Sequence, residues 1–97
     1  MSFGLKDSLL QDIKNVLAGN ENVLKAVIFG SRARGDYQYN SDIDLAVYCL
    51  KPMPAGLSLD LDNAAGIYKI DVVDMNRLTN ESLRKRIEEQ GVEIYRR

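Results

Sequence analysis

Two aspartates separated by a single residue, Asp42 and Asp44, are the first candidates for chemistry in this chain. In a β-strand, residues i and i+2 share a face, so both carboxylates are predicted to lie side by side while the apolar residues around them face a core. Adjacent carboxylates repel each other unless a divalent cation lies between them or water solvates them. By itself the pair fits a metal site and a solvated acidic strand end equally well.

A third aspartate, Asp71, lies inside an apolar run that covers residues 70–73. Because burying a carboxylate among apolar side chains is costly, Asp71 is predicted to line a cleft. On a strand next to Asp42 and Asp44 it completes a cluster of three carboxylates, which together with substrate phosphates can hold two metal ions for an in-line displacement at phosphorus. Asp74 is the alternative, but strand alternation predicts that it faces the opposite side and belongs to a turn or cap.

A glycine turn directly follows the first apolar run. Gly30 allows a sharp turn and a close approach by a ligand. The free N–H groups of a following helical turn, together with the Ser31 hydroxyl, favour an anion such as phosphate. Arg32 and Arg34 add positive charge, which makes them candidate nucleotide-binding residues. Taken alone, the segment fits an ordinary glycine turn with surface arginines better.

The amino-acid composition excludes several classes of catalytic and metal site. The chain has 97 residues, no His and one Cys, Cys49. This length predicts a single domain over residues 1–97. Without His, the classes that depend on Ser-His-Asp or Cys-His catalysis are excluded, and one Cys excludes both an internal disulfide and a Cys-based zinc site. The remaining carboxylates favour hard cations such as Mg²⁺, Mn²⁺ or Ca²⁺.

Charge and hydropathy indicate which partners and surroundings to expect. Lys and Arg number 13 and Asp and Glu number 14, for a net charge of −1, so a basic protein that coats nucleic acid is not expected. The basic residues near the C-terminus are interleaved with glutamates and offer no channel for a nucleic-acid backbone. No run approaches the ~20 apolar residues of a membrane span, and the N-terminal residues lack the apolar region of a signal peptide. A lone Cys fits a reducing compartment, and the sequence predicts a cytoplasmic protein with no membrane partner.

Other ligand motifs fail at defined positions. A calcium-binding loop that started at Asp42 would need Gly at its sixth position and Glu at its twelfth, where the chain has Val47 and Met53. No Gly-Lys-Ser/Thr follows Gly30, so this turn is not a P-loop, and the Gly-x-Gly-x-x-Gly pattern of dinucleotide binding is absent.

Apolar residues at helical spacing predict three main helices, over residues 7–17, over residues 57–65, and from residue 80 to the glycine at 91. The polar stretch 32–39 predicts at most one further helical turn followed by a loop. Small polar residues at the start of each main helix are candidate caps. These are Asp7 or Ser8 for the first helix, Ser58 for the second, and Thr79 or Asn80 for the third, with Gly19-Asn20 and Gly91 as stops.

Short apolar or alternating runs predict four strands, at residues 23–29, 42–50, 68–75 and 92–95. Strands flanked by helices predict an α/β (α+β) architecture, in which a small mixed β-sheet has helices packed on it. In this arrangement the glycine turn follows the first strand, Asp42 and Asp44 begin the second, and Asp71 lies within the third.

Residues 29–35 (FGSRARG), 41–45 (SDIDL) and 70–74 (IDVVD) together resemble the DNA polymerase β-like nucleotidyltransferase superfamily. Within it the chain is most similar to the minimal nucleotidyltransferases of bacteria and archaea, and residues 83–95 also resemble the ending of that subgroup. The resemblance covers residues 23–95 and implies the polymerase β palm-like fold.

The resemblance also implies a role for each matching residue. Gly30 and Ser31 would hold the triphosphate, and Asp42 and Asp44 would bind two Mg²⁺ ions, with Mn²⁺ as a substitute. Asp71 would bind the catalytic metal and help to deprotonate an acceptor hydroxyl, which attacks the α-phosphate of ATP and releases pyrophosphate. The segment between the second and third strands departs from the family by being short.

The subgroup is often encoded beside a small helical HEPN-type toxin, an RNase, and acts as its antitoxin by adenylylating a tyrosine. The resemblance therefore implies a HEPN-type partner protein as acceptor. Two alternatives stay open: a non-catalytic antitoxin that neutralises its partner by occlusion, and a nucleotidyltransferase for a small molecule such as an aminoglycoside. Polymerisation of nucleic acid is not expected, because the charge balance offers no path for a backbone.

Overall fold

The computed structural model describes residues 2–97, along which helices and strands alternate in the predicted order. The helices are α1 (Asp7–Ala18), α2 (Ser31–Arg34), α3 (Ala55–Ala64) and α4 (Glu81–Gln90). The strands are β1 (Val23–Phe29), β2 (Ile43–Cys49), β3 (Ile70–Asp74) and β4 (Val92–Arg96).

The strands form one mixed sheet in the order β3-β2-β1-β4. β1 pairs antiparallel with both β2 and β4, while β2 and β3 are parallel. Parallel neighbours need a crossover connection, and α3 provides it between β2 and β3. The small mixed sheet with packed helices predicted from the sequence is confirmed.

One face of the sheet is closed by α1 and α3. Ile28 of β1 and Leu45 of β2 contribute to this core, and Ile13 and Leu61 reach it from the two helices; all four side chains are fully buried. This burial is the largest source of stability in the fold, since apolar area removed from water gives about 25 cal/mol per Å².

The other face is covered by α4. Ile87 of α4 packs with Val27, Ala46 and Met75 in a second, smaller core, and Leu83 is partly buried against it. Where β2 and β3 begin, this face carries carboxylates instead of apolar side chains. One sheet face is therefore sealed, and the other keeps a polar, accessible end.

The helix starts correct two of the predicted caps. α1 begins after Lys6, whose side chain makes no capping hydrogen bond, so the assignment of Asp7 or Ser8 as cap was wrong; Asp7 lies in the first turn, where a negative charge favours the helix dipole. α3 begins after Pro54, two residues earlier than predicted, so Ser58 lies inside the helix. Proline fixes φ near the value that the start of a helix requires, so α3 begins directly after Pro54 and not at Ser58.

Capping of α4 agrees with the prediction. The Asn80 side chain accepts a hydrogen bond of 3.0 Å from the Leu83 N–H, and Gly91 follows the last turn. Gly19 likewise ends α1. Across residues 2–97, no helix combines the length and the hydropathy needed to cross a membrane.

Candidate active site

The parallel pairing of β2 and β3 brings two of the predicted carboxylates together. Asp44 and Asp71 are direct register partners, and neighbouring strands lie about 4.8 Å apart. Because in-register residues of parallel strands point to the same side, both carboxylates lie on the sheet face that α4 covers only in part. Asp42 lies just before the first residue of β2, and its charge acts on Asp44 two positions further along.

The pKa of Asp44 shows that the three carboxylates lie near enough to affect one another. Partial burial raises the pKa of Asp44, and the nearby charges of Asp71 and Asp42 raise it further, whereas Arg34 lowers it. The charges of Asp71 and Asp42 therefore both disfavour the ionised form of Asp44. A cation placed beside Asp44 would relieve that repulsion.

The donor set suits a hard divalent cation held jointly with a substrate. Within residues 2–97, no group of three or more acidic, His or Cys side chains is arranged to hold a metal ion by itself. Mg²⁺ does not require one, since it is commonly held by one or two carboxylates together with substrate phosphates and water. Asp44 and Asp71, which are register partners, fit this mode of binding, and Asp42 is near enough for its charge to act on Asp44.

Gly30 lies directly against Asp44. Its backbone has φ of 75° and ψ of −154°, a conformation that is essentially restricted to glycine. A Cβ atom at this position would collide with the Asp44 carboxylate. The predicted glycine turn is therefore present, and the close approach that requires glycine comes from a carboxylate of the chain itself.

The turn continues into α2, a single helical turn. The Gly30 carbonyl accepts hydrogen bonds from the N–H groups of Ala33 (3.1 Å) and Arg34 (3.0 Å). The amides of Ser31 and Arg32 precede these and have no carbonyl partner within the helix, as at every helix start. Ser31 is half-buried and follows Gly30, which itself lies against the Asp44 carboxylate.

Arg32 does not have the predicted role. Only 2% of its surface is exposed. Its guanidinium donates to the Ser41 carbonyl at 2.8 and 3.1 Å and to the Phe3 carbonyl at 2.9 Å, with a longer contact to the Tyr39 carbonyl at 3.4 Å. Its donors are thus occupied by backbone, and the prediction that Arg32 binds nucleotide is corrected: Arg32 fixes the segment that leads into Asp42.

Arg34 is the arginine that faces the site. Its side chain is 43% exposed and forms an ion pair with Asp36 at 3.4 Å. Its charge also acts on Asp44, whose pKa it lowers. Arg34 therefore keeps the position of a candidate ligand for a phosphate group.

The two aspartates of β3 occupy the predicted places. Asp74 is paired in register with Val47, and its carboxylate accepts the Asn76 N–H at 3.0 Å, so it shapes the turn after β3. Lys69, which was not among the residues predicted from the sequence, has its Nζ 3.9 Å from an Asp71 carboxylate oxygen. Its spacing of two residues from Asp71 is the signal that could have identified it.

A cavity of about 350 Å³ opens beside Asp42, lined by Tyr39, Ile67 and Tyr68 among others. Tyr48 lies away from this cavity, near the other end of β2, where the Lys25 Nζ is 4.3 Å from its ring centre. A larger cavity of about 640 Å³ lies between α1 and α3, remote from the carboxylates.

Relatives of known sequence place this geometry in a family. The family model described as "Polymerase beta, Nucleotidyltransferase" matches residues 11–97. A Methanocaldococcus jannaschii protein named "Putative protein adenylyltransferase MJ1217" is 31% identical over 96 residues, with 88% of this chain and 97% of that protein covered.

Solved structures share the fold. A chain from a crystal structure of a toxin-antitoxin complex with AMP-PNP has a TM-score of 0.77 and 25% identity, covering 91% of this chain and 73% of that one. A chain from the complex of tri-AMPylated Shewanella oneidensis HEPN toxin with MNT antitoxin has a TM-score of 0.70 and 20% identity, covering 92% and 71%. The mixed sheet, the glycine turn against Asp44 and the match over residues 11–97 agree: the chain belongs to the Polymerase beta nucleotidyltransferase family and is a nucleotidyltransferase.

Proposed function

We propose that this chain transfers AMP from ATP to a tyrosine hydroxyl of a HEPN-type toxin in a Mg²⁺-dependent reaction, and thereby acts as the antitoxin of that partner. We propose further that residues 1–97 act as one nucleotidyltransferase domain. The observation that carries the proposal is the cluster of Asp42, Asp44 and Asp71 beside the turn at Gly30. This is a site for a divalent cation and a polyphosphate.

The nature of the acceptor is supported by relatives. The Methanocaldococcus jannaschii relative is named as a protein adenylyltransferase. The Shewanella oneidensis complex pairs an MNT antitoxin with a HEPN toxin that carries AMP groups. A tyrosine as the modified residue is implied by the resemblance to minimal nucleotidyltransferases. The lone Cys49, which is free and buried, agrees with a reducing cytoplasm as the place of reaction.

The positions of the side chains support a separate role for each part of the site. The amides and hydroxyl at Gly30 and Ser31 would hold the triphosphate tail, with Arg34 beside it. Asp42 and Asp44 would hold Mg²⁺, which when bound neutralises charge on the phosphates. Asp71, whose side chain is 48% exposed, would accept the proton of the acceptor hydroxyl.

The reaction itself is a displacement at the α-phosphorus. A bond forms between the acceptor oxygen and the α-phosphorus, and the bond from the α-phosphorus to the oxygen bridging to the β-phosphate breaks. The electron pair leaves with pyrophosphate, and the hydroxyl proton passes to the Asp71 carboxylate. The chain thus contributes orientation, charge and one proton acceptor.

The mass of the partner tests the proposal. We would co-express this chain with the protein encoded by the adjacent gene and record the intact mass of that protein. An increase by one or more AMP units is expected with the wild-type chain, and no increase with the Asp42→Asn/Asp44→Asn variant. Asp74→Asn is the matched control, because it removes a β3 carboxylate outside the cluster.

Retained transfer by the double variant would contradict the proposed mechanism. A stable complex whose partner never gains mass would contradict transfer altogether, and would favour neutralisation by occlusion. Omitting Mg²⁺ from the purified components is expected to abolish transfer, and adding Mn²⁺ to restore it.

A further inference from the structure

Two of the most exposed apolar side chains flank the cavity beside Asp42. Tyr39 is 86% exposed and Ile67 is 94% exposed. Tyr68 lines the cavity between them, and Asp42 and Lys69 lie at its border. Large apolar side chains grouped at one opening mark an interaction site more often than isolated ones do, and this opening adjoins the carboxylates.

The cavity has a rigid wall. The guanidinium of the buried Arg32 lies 4.8 Å from the centre of the Tyr68 ring, and it also contacts the Tyr39 carbonyl at 3.4 Å. Arg32 is held by the Ser41 and Phe3 carbonyls as well, so one anchored guanidinium contacts both the backbone at Tyr39 and the ring of Tyr68. A preformed wall of this kind lowers the ordering cost of binding.

The direction of the reaction determines which molecule reaches this cavity. An in-line displacement requires the attacking oxygen to lie opposite the leaving pyrophosphate. With the triphosphate tail at Gly30 and Ser31, at the end of β1, the acceptor enters from the far side of the carboxylates. In the strand order β1-β2-β3, that side is the turn before β3, which contains Ile67.

We infer that this cavity receives the acceptor segment of the partner protein, with an apolar side chain next to the modified hydroxyl packed between Tyr39 and Ile67. The inference rests on the proposed function, since it places the phosphate tail at Gly30. Exposed aromatic and apolar side chains are the usual anchors of a protein interface. The opposite charges of Asp42 and Lys69 at the border suit a neutral segment rather than an anion.

Steady-state transfer kinetics test this surface. The purified acceptor protein is the variable substrate, and Tyr39→Ala and Ile67→Ser are the variants. Each is expected to raise KM for the acceptor by roughly 10-fold or more, the loss typical of an anchor side chain, with kcat and the affinity for ATP unchanged. Leu50→Ser is the control, because Leu50 is 70% exposed just beyond the opposite end of β2 and is expected to change neither quantity.

Two outcomes would overturn the inference. If Tyr39→Ala weakened ATP binding about 10-fold and left the acceptor KM unchanged, the cavity would be a nucleobase pocket. If neither variant differed from Leu50→Ser, the surface would have no role in binding.

A binding measurement separates this inference from the proposed function. In an Asp44→Asn background without ATP, the Kd for the acceptor protein is measured with and without Tyr39→Ala. A rise of about 10-fold supports docking even if the wild-type chain transfers no AMP, in which case the proposed function alone fails. An unchanged Kd, alongside normal transfer by the wild-type chain, overturns the docking inference alone.

Discussion

The two faces of the sheet differ in what covers them. On the face closed by α1 and α3, Ile43, Leu45 and Val47 of β2 are fully buried. On the other face, the same strand presents Asp44 at its start and Ala46 beneath α4. In β2, the residues that face α1 and α3 therefore stabilise the fold, whereas Asp44 on the opposite face belongs to the candidate site.

The difference arises from the number of helices on each face. Two helices pack over the first core, whereas α4 alone covers the second. The part that α4 leaves accessible is the part where carboxylates replace apolar side chains. Substitutions of adjacent residues, such as Asp44 and Leu45, should therefore affect different properties of the protein.

The largest expected effect on stability is on the closed face. Leu45→Ala removes a fully buried side chain and is expected to lower the free energy of unfolding by about 2–5 kcal/mol. Urea denaturation followed by circular dichroism measures it. The folded fraction of this variant should retain normal transfer; a specific loss of kcat would show that the two faces are not separable.

A smaller effect distinguishes the two arginines of the glycine turn. Arg32→Lys cannot reproduce the forked hydrogen bonds to Ser41 and Phe3, leaves part-buried carbonyls without a partner, and is expected to cost about 2–3 kcal/mol. Arg34→Lys keeps an exposed charge and is expected to cost less than about 0.5 kcal/mol. Thermal unfolding of both variants tests this, and equal midpoints would contradict the buried role of Arg32.

Gly30→Ala is expected to cause the next largest loss of stability. An alanine with the φ of 75° found here is strained by about 1–3 kcal/mol, and its Cβ must displace the Asp44 carboxylate. We therefore expect both a lower midpoint in urea and a loss of transfer at saturating ATP. Gly56→Ala is the control, since a Cβ at that helical position meets nothing within 4 Å.

The smallest expected change in the free energy of unfolding is an increase, and it comes from Asp44→Asn. The pKa of Asp44 is raised above 3.8 in the folded protein, so folding favours the protonated form, and that contribution is lost as pH rises through the folded pKa. Without divalent cations, Asp44→Asn is therefore expected to be slightly more stable than wild type at pH 7, because Asp44 is only partly buried and water screens much of the repulsion.

The same comparison at about pH 4, where more of Asp44 is protonated, should show a smaller difference between variant and wild type. Mg²⁺ should also reduce the difference at pH 7, because a cation that binds only the folded wild type stabilises it. A variant that is less stable than wild type at pH 7 without Mg²⁺ would contradict the repulsion inferred for the cluster.

Local patterns were sufficient to predict much of the site. Alternation in β2 and β3 separated Asp44 and Asp71 from their apolar neighbours and assigned Asp74 to the turn, as observed. The helix starts were predicted less well, because Pro54 begins α3 and the backbone around Lys6 begins α1 without a side-chain cap. Cap signals are weak when several small polar residues occur together.

By itself, the sequence determined which residues could share a face, because strand and helix periods depend only on neighbouring positions. It also determined the available chemistry: with no His and one Cys, carboxylates and backbone amides remain. Only the tertiary structure decided that Asp44 lies beside Asp71 and against Gly30, and that Arg32 is buried while Arg34 is exposed. These facts depend on strand register and on contacts between distant segments, such as that of Arg32 with Phe3, which local spacing does not encode.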